Sequence, residues 1–193
     1  MLKNKTKQKP IMVLSLPCAA RFSKKEVIKN LKNKISILEN IDEQLIKKSM
    51  FYDLKGTSGG YQEAFTMIQQ NKHRYDIVLV GWSMGGAAAL MLGNNLDGVS
   101  GIVTLGASTD VEQFTNIIHK KIPYLQCHNE HDKVIPLSQG QLLYNNLKGK
   151  QNENHTFKIS QVVEGNCHQY DDMIDVCTDW IISNFVKVTS VAE

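Results

Sequence analysis

One stretch constrains the chain more than any other: Tyr75-Asp76-Ile77-Val78-Leu79-Val80-Gly81-Trp82-Ser83-Met84-Gly85-Gly86-Ala87-Ala88-Ala89-Leu90. Ile77 to Val80 is a continuous apolar run, as expected of a strand covered on both faces in a parallel sheet. Ala87 to Leu92 are helix formers. Between them, Gly81-x-Ser83-x-Gly85 has the pattern of a nucleophile elbow, a sharp strand-to-helix turn with a serine at its tip. The glycines have a physical role in such a turn, because side chains at 81 and 85 would collide across it. The following helix would point its N-terminus at the serine and stabilise negative charge there.

The rest of the chain alternates between short apolar runs and helical periodicity. Strands are expected at Ile11–Leu16, Ser49–Leu54, Val99–Leu105, Ile122–Cys127 and Thr156–Val163. Val27, Ile28, Leu31, Ile35 and Leu38 repeat at helical spacing, with lysines on the other face and Ser23/Glu26 as a capping box. Helices are also expected at Tyr61–Asn71, Asp110–Lys120 and Leu137–Leu147. A last one carries Tyr170, Met173, Ile174, Cys177, Trp180, Ile181 and Phe185 on its apolar face. Residues 40–50 are ambiguous, and 149–154 form a polar loop. This order predicts a compact α/β fold, a mostly parallel sheet of about five to seven strands flanked by helices. Residues 11–188 form one domain, between a basic tail over 1–10 and a C-terminal tail over 189–193.

A serine hydroxyl needs a base, and the base needs an acid to orient it. In open α/β sheets such groups gather at the C-terminal ends of strands. Three loops expected there carry Ser83, Asp132 and His168, in the chain order of α/β-hydrolases. Asp110 is the rival acid, read as a helix cap. His128 and His131 crowd the acid's own loop, and His73, His119 and His155 fall on helix ends or polar loops. Cys167, beside His168, is a rival nucleophile, but nothing around it resembles an elbow. An oxyanion hole needs two backbone N–H groups. Met84 is one candidate, and the loop after the first strand offers Leu16 or Cys18, since Pro17 has no N–H.

Composition narrows the class further. The four cysteines, Cys18, Cys127, Cys167 and Cys177, show no metal-ligand or C-x-x-C spacing, which fits a reduced, cytoplasmic chain without metal. The basic start, the Ile11–Leu16 run and Cys18-Ala19-Ala20 together also resemble a signal peptide, so secretion is the secondary reading. Pro17 interrupts that short run, and cleavage there would remove a strand the fold needs. The net charge of +3 conceals an asymmetry: residues 1–48 hold twelve Lys/Arg against four Asp/Glu. A solvated basic face is the first reading and peripheral contact with an anionic membrane the second. Nucleic acid is disfavoured, because no aromatics interleave with the lysines. Nothing in the sequence specifies an oligomeric state.

The C-terminal third resembles the acyl-protein thioesterase/phospholipase–carboxylesterase family of α/β-hydrolases. The resemblance rests on Leu125-Gln126-Cys127-His128, Asp132 with Val134-Ile135-Pro136, Thr156-Phe157-Lys158, Gly165 with His168, and the helix around Asp175 and Trp180. Gly81-Trp82-Ser83-Met84-Gly85-Gly86 is similar to the family's elbow, and Met50-Phe51-Tyr52-Asp53 to its Trp-Phe-Asp segment without the tryptophan. The resemblance implies a cofactor-free serine hydrolase acting on acyl thioesters, lysophospholipids or small carboxylic esters. Ser83 would be the nucleophile, Asp132 the acid and His168 the base. Two departures stand out. The family's His-Gly after the first strand is Ser15-Leu16-Pro17 here, and the segment between the first strand and Phe51 is short. They favour a general esterase over a long-acyl thioesterase. The altered oxyanion loop also supplies the alternative, a catalytically weak hydrolase-fold binding protein. A lipase of another family is disfavoured, since the sequence holds no extended apolar lid.

Overall fold

The computed structural model describes residues 8–18, 24–56, 58–107, 115–148 and 155–186. Six strands form one sheet in the order β2-β1-β3-β4-β5-β6. They are β1 (Ile11–Leu16), β2 (Met50–Asp53), β3 (Asp76–Trp82), β4 (Val99–Leu105), β5 (Tyr124–Asn129) and β6 (His155–Ser160). Every adjacent pair is parallel, so the C-terminal ends of all six strands lie along one edge. The apolar run Ile77–Val80 is central and buried, with Val13 beside Val78 and Val103 beside Val80.

Alternate residues of β1, β3, β4 and β5 feed two separate cores, as the pleat requires. Ile11, Val13, Val78, Val80, Val103 and Leu125 pack with Val27, Ile28, Leu31 and Ile35 of α1 (Lys25–Ser36) and Cys177 and Ile181 of α7 (Ile174–Phe185). Met12, Leu14, Ile77, Leu79, Ile102 and Tyr124 face the other layer: α3 (Tyr61–Asn71), α4 (Met84–Asn95), α5 (Thr115–His119) and α6 (Leu137–Lys148). The sheet is therefore sandwiched between helices, as expected from the sequence. The ambiguous 40–50 segment holds one short helix, α2 (Glu43–Lys47), capped by the Asp42 carboxylate on the Leu45 N–H.

Some expectations shift. The cap of α1 falls on Lys24, not Ser23, which lies outside the described residues together with Asp110 and the 149–154 loop. Lys24 is not on the outer face either. Its side chain is buried, with Nζ 2.6 Å from Asp171 Oδ1 and 4.6 Å from the centre of the Trp82 ring. Lys25, Lys29 and Lys32 are exposed as expected, and Lys34 bridges Asp175 and Asp179 of α7 at 2.8 and 2.6 Å. The last helix starts later than its apolar periodicity implied. Tyr170 precedes it in a left-handed conformation (φ 61°), followed by one 3₁₀ turn over Asp171–Met173. Among the described residues no helix is long and apolar enough to cross a membrane. Ile11–Leu16, the core of the signal-like stretch, is an interior strand between β2 and β3.

Candidate active site

Ser83 sits at the turn between β3 and α4 with φ 55° and ψ −118°, a conformation that costs a non-glycine residue about 1–3 kcal/mol. Its neighbours hold it there. The Ser83 N–H donates to the Leu105 carbonyl at the end of β4 (2.9 Å), and its carbonyl accepts the Gly86 N–H (2.9 Å) in the first turn of α4. The two glycines are required by contact. A Cβ at Gly81 would lie 2.2 Å from the Gly85 carbonyl oxygen, and one at Gly85 would lie 2.5 Å from the Leu16 oxygen and 2.6 Å from the Pro17 oxygen. The first turn of α4 thus abuts the loop that leaves β1.

Asp132 follows β5, and His168 follows β6. The His168 Nδ1–Asp132 Oδ2 distance is 2.6 Å, with the carboxylate fully buried and the imidazole nearly so. Three more donors complete the carboxylate shell: the N–H groups of Val134 (2.8 Å) and Ile135 (2.9 Å) on Oδ1, and the Tyr170 hydroxyl (2.7 Å) on Oδ2. Burial alone would push this carboxyl up. The hydrogen bonds from His168, the Ile135 N–H, Tyr170 and the Val134 N–H outweigh burial and hold it below its ordinary value, so Asp132 is ionised at neutral pH.

The acid and histidine loops are joined by the Lys133 N–H on the Asn166 carbonyl (3.0 Å). The histidine loop is tied to the serine strand by the Trp82 indole N–H, which donates to the His168 carbonyl at 2.9 Å. In this way a loop from the far edge of the sheet is brought back to β3, three strands away in the sheet order. With Nδ1 held by Asp132, His168 Nε2 has no hydrogen-bond partner among the described residues, Ser83 included. It is the nitrogen left to accept a proton.

The other histidines are placed elsewhere. His128 is wholly buried with Nε2 on the Ile135 carbonyl (2.8 Å), and burial pushes its pKa down. His155, read as a polar-loop residue, opens β6 at the opposite edge of the sheet, and burial likewise pushes its pKa down. His73, His119 and His131 are exposed. Cys167 is buried with φ 57°. Among the described residues no group of three or more His, Cys, Asp or Glu is arranged to hold a metal ion.

Two residues of the site were not singled out from the sequence. Tyr170 was absorbed into the apolar stripe of the last helix, yet its hydroxyl reaches the acid. Asn129, read as loop, ends β5 with its side chain on the Ser160 hydroxyl (3.3 Å), the Val162 carbonyl (2.9 Å) and the His131 N–H (2.8 Å). A groove of about 310 Å³ opens beside the elbow, lined by Ser58, Tyr61, Met84, Ala87, Ala88 and Met91. The four α4 residues lie at i, i+3, i+4 and i+7, one face of the helix. Met84 and Met91 are 44% and 41% exposed, while Ala88 between them is buried.

A parallel sheet with a positive-φ serine between strand and helix, and an aspartate–histidine pair from later loops along the same edge, defines an α/β-hydrolase. Within that class, residues 21–177 match the model of the Phospholipase/Carboxylesterase family, and the chain belongs to that family. Solved structures with the same fold include Zea mays acyl-protein thioesterase 2 (14% identity, 95% of this chain and 97% of that one, TM-score 0.57). The esterase domain of a Rhodothermus marinus protein also matches (13% identity, 92% and 88%, TM-score 0.59). So does Paleococcus ferrophilus monoacylglycerol lipase (14% identity, 92% and 96%, TM-score 0.59). At these identities the likeness is one of fold.

Proposed function

We propose that this chain is a serine hydrolase that cleaves carboxylic esters or thioesters through an acyl-enzyme intermediate. The observation that carries the reading is the buried His168, with Nδ1 on Asp132 at 2.6 Å and Nε2 without a partner among the described residues, fastened by Trp82 to the strand that leads into Ser83. In the first step His168 Nε2 takes the Ser83 proton as Oγ attacks the acyl carbon, and Asp132 stabilises the imidazolium. The same proton then passes to the leaving alkoxide or thiolate. Water, deprotonated by His168, attacks the acyl-serine and releases the acid.

The developing oxyanion needs two N–H donors. Met84, at the N-terminus of α4, is one. Leu16 and Cys18 compete for the other. The Ser15 carbonyl accepts the Leu54 N–H (2.9 Å) on the β2 side, so the Leu16 N–H, across a trans peptide, faces β3 and the sheet ladder. That favours Cys18. The groove along Met84, Ala87 and Met91 suits the acyl portion of the substrate. Over seven helical residues it runs about 10 Å, the length of an acyl chain of about eight carbons.

The test is labelling by a fluorophosphonate probe, run beside hydrolysis of a p-nitrophenyl ester. Wild type should label and turn over, while Ser83→Ala should do neither; the loss in kcat is on the order of a million-fold where a comparable triad has been dismantled. Ser83→Ala activity at even a tenth of wild type contradicts the proposal. An unlabelled, inactive wild type favours the hydrolase-fold binding protein, for which Pro17 at the oxyanion loop is the supporting observation.

A further inference from the structure

Tyr170 has several features that packing alone does not explain. A tyrosine at φ 61° is uncommon and carries strain. Its ring occupies a slot made by Gly106, itself at φ 54°, where a Cβ would lie within 2.5 Å of the ring. The side chain is 2% exposed, and its hydroxyl makes two directed bonds. It accepts the Asn129 backbone N–H at 3.1 Å and donates to Asp132 Oδ2 at 2.7 Å. Because the Asn129 N–H can only donate, the phenolic proton is directed at the carboxylate. Burial first, with the nearby Asp132 carboxylate adding to it, pushes the phenol well above its ordinary pKa, so it remains a donor across the working pH range.

We propose that Tyr170 is a positioning residue: it shares Asp132 Oδ2 with His168 and sets both the angle and the basicity of the carboxylate that orients the base. A carboxylate has about four lone-pair sites, and here four donors fill them: Val134, Ile135, His168 and Tyr170. The acid therefore has no freedom to rotate. A donor on Oδ2 also withdraws charge from the oxygen that faces the imidazole, which weakens its hold on the imidazolium. Asn129 is the anchor in turn, since the N–H that aligns the phenol belongs to the last residue of β5, three residues before Asp132. The inference rests on the proposed roles of Ser83, Asp132 and His168.

The experiment compares Tyr170→Phe with the protein carrying 3-fluorotyrosine at position 170, a more acidic phenol and a stronger donor. Phe keeps the ring in the Gly106 slot. With Phe, kcat falls tenfold or more with KM nearly unchanged, because a carboxylate no longer fixed at Oδ2 fails to hold the imidazole at the angle that proton transfer needs. The acid limb of the kcat/KM profile moves to higher pH, because a carboxylate freed of this donor holds the imidazolium more strongly. The fluorinated residue restores kcat and moves the limb the other way. The Nδ1 proton of His168, observed directly by NMR, shifts in the same opposed senses. A Phe variant that loses activity only in proportion to its folded fraction, with the wild-type pH profile and the wild-type Nδ1 resonance, overturns the proposal. Because the NMR readout does not depend on turnover, an active Ser83→Ala enzyme would refute the catalytic reading separately.

Discussion

Replacing Asp132 by asparagine tests how the acid works, and the structure dictates which way the new amide must point. Oδ1 accepts two backbone N–H groups that cannot turn, those of Val134 and Ile135. The amide oxygen has to stay there, so the NH₂ takes the place of Oδ2, facing His168 Nδ1 and the Tyr170 hydroxyl. The Tyr170 hydroxyl, whose proton the Asn129 N–H directs at this position, loses its acceptor, and His168 can avoid a donor–donor clash only by moving its proton from Nδ1 to Nε2. That tautomer cannot accept a proton from Ser83. The same substitution in a well-studied serine protease lowers kcat by about 10⁴, and a similar loss here corresponds to about 5.4 kcal/mol of activation free energy. Stability falls as well, by about 2 kcal/mol for the lost charge-assisted bond, or about 4–8 °C in Tm for a chain of this size. Its pH dependence has a definite sign. The native carboxyl is held below its ordinary value, so its contribution is fully present above the usual carboxylate range and is lost as pH falls through the native pKa. The deficit of Asp132→Asn should therefore be present at neutrality and shrink once pH falls through the native carboxyl's pKa. Urea unfolding across pH, beside steady-state hydrolysis, measures both effects. Turnover within tenfold of wild type, or a stability deficit that stays undiminished below the carboxylate range, would refute the reasoning.

Two further outcomes follow from the same geometry. Cys18→Pro removes the N–H proposed for the oxyanion and should lower kcat by about 10²–10³, while Cys18→Ala, which keeps the N–H, should stay within a few-fold; equal losses in the two variants would point to the thiol or to packing. Ala87→Trp should block the groove along α4 and lower the octanoate-to-acetate ratio of kcat/KM at least tenfold, about 1.4 kcal/mol of discrimination; an unchanged ratio would place the acyl chain elsewhere.

The sequence was most legible where local and global demands agree. Ile77–Val80 is apolar because both sheet faces are covered, and Gly81 and Gly85 are glycine because the chain closes on itself there. Asp132 and His168 were legible as polar groups in loops that a parallel sheet must gather at one edge. Their approach to 2.6 Å was not, because it depends on the crossing of two loops pinned by Trp82 and Asn166. Tyr170 was hidden by its own periodicity: an aromatic residue on an apolar stripe gives no sign that its hydroxyl leaves the stripe. Lys24 was hidden for a similar reason. Helical spacing put it outside, and a partner 147 positions away, Asp171, with the Trp82 ring, drew it in. The choice between Leu16 and Cys18 required the orientation of one peptide at the end of β1, which residue types do not encode.

The central claim is that Ser83 carries the acyl group. The direct measurement is to mix the protein with a p-nitrophenyl ester, quench in acid within the first turnover, and locate the added mass by peptide mapping. One acyl group per chain is expected on the peptide containing Ser83, formed with the first release of p-nitrophenol and absent from Ser83→Ala. Acylation of Cys167, or turnover with no acylated residue at all, would contradict it.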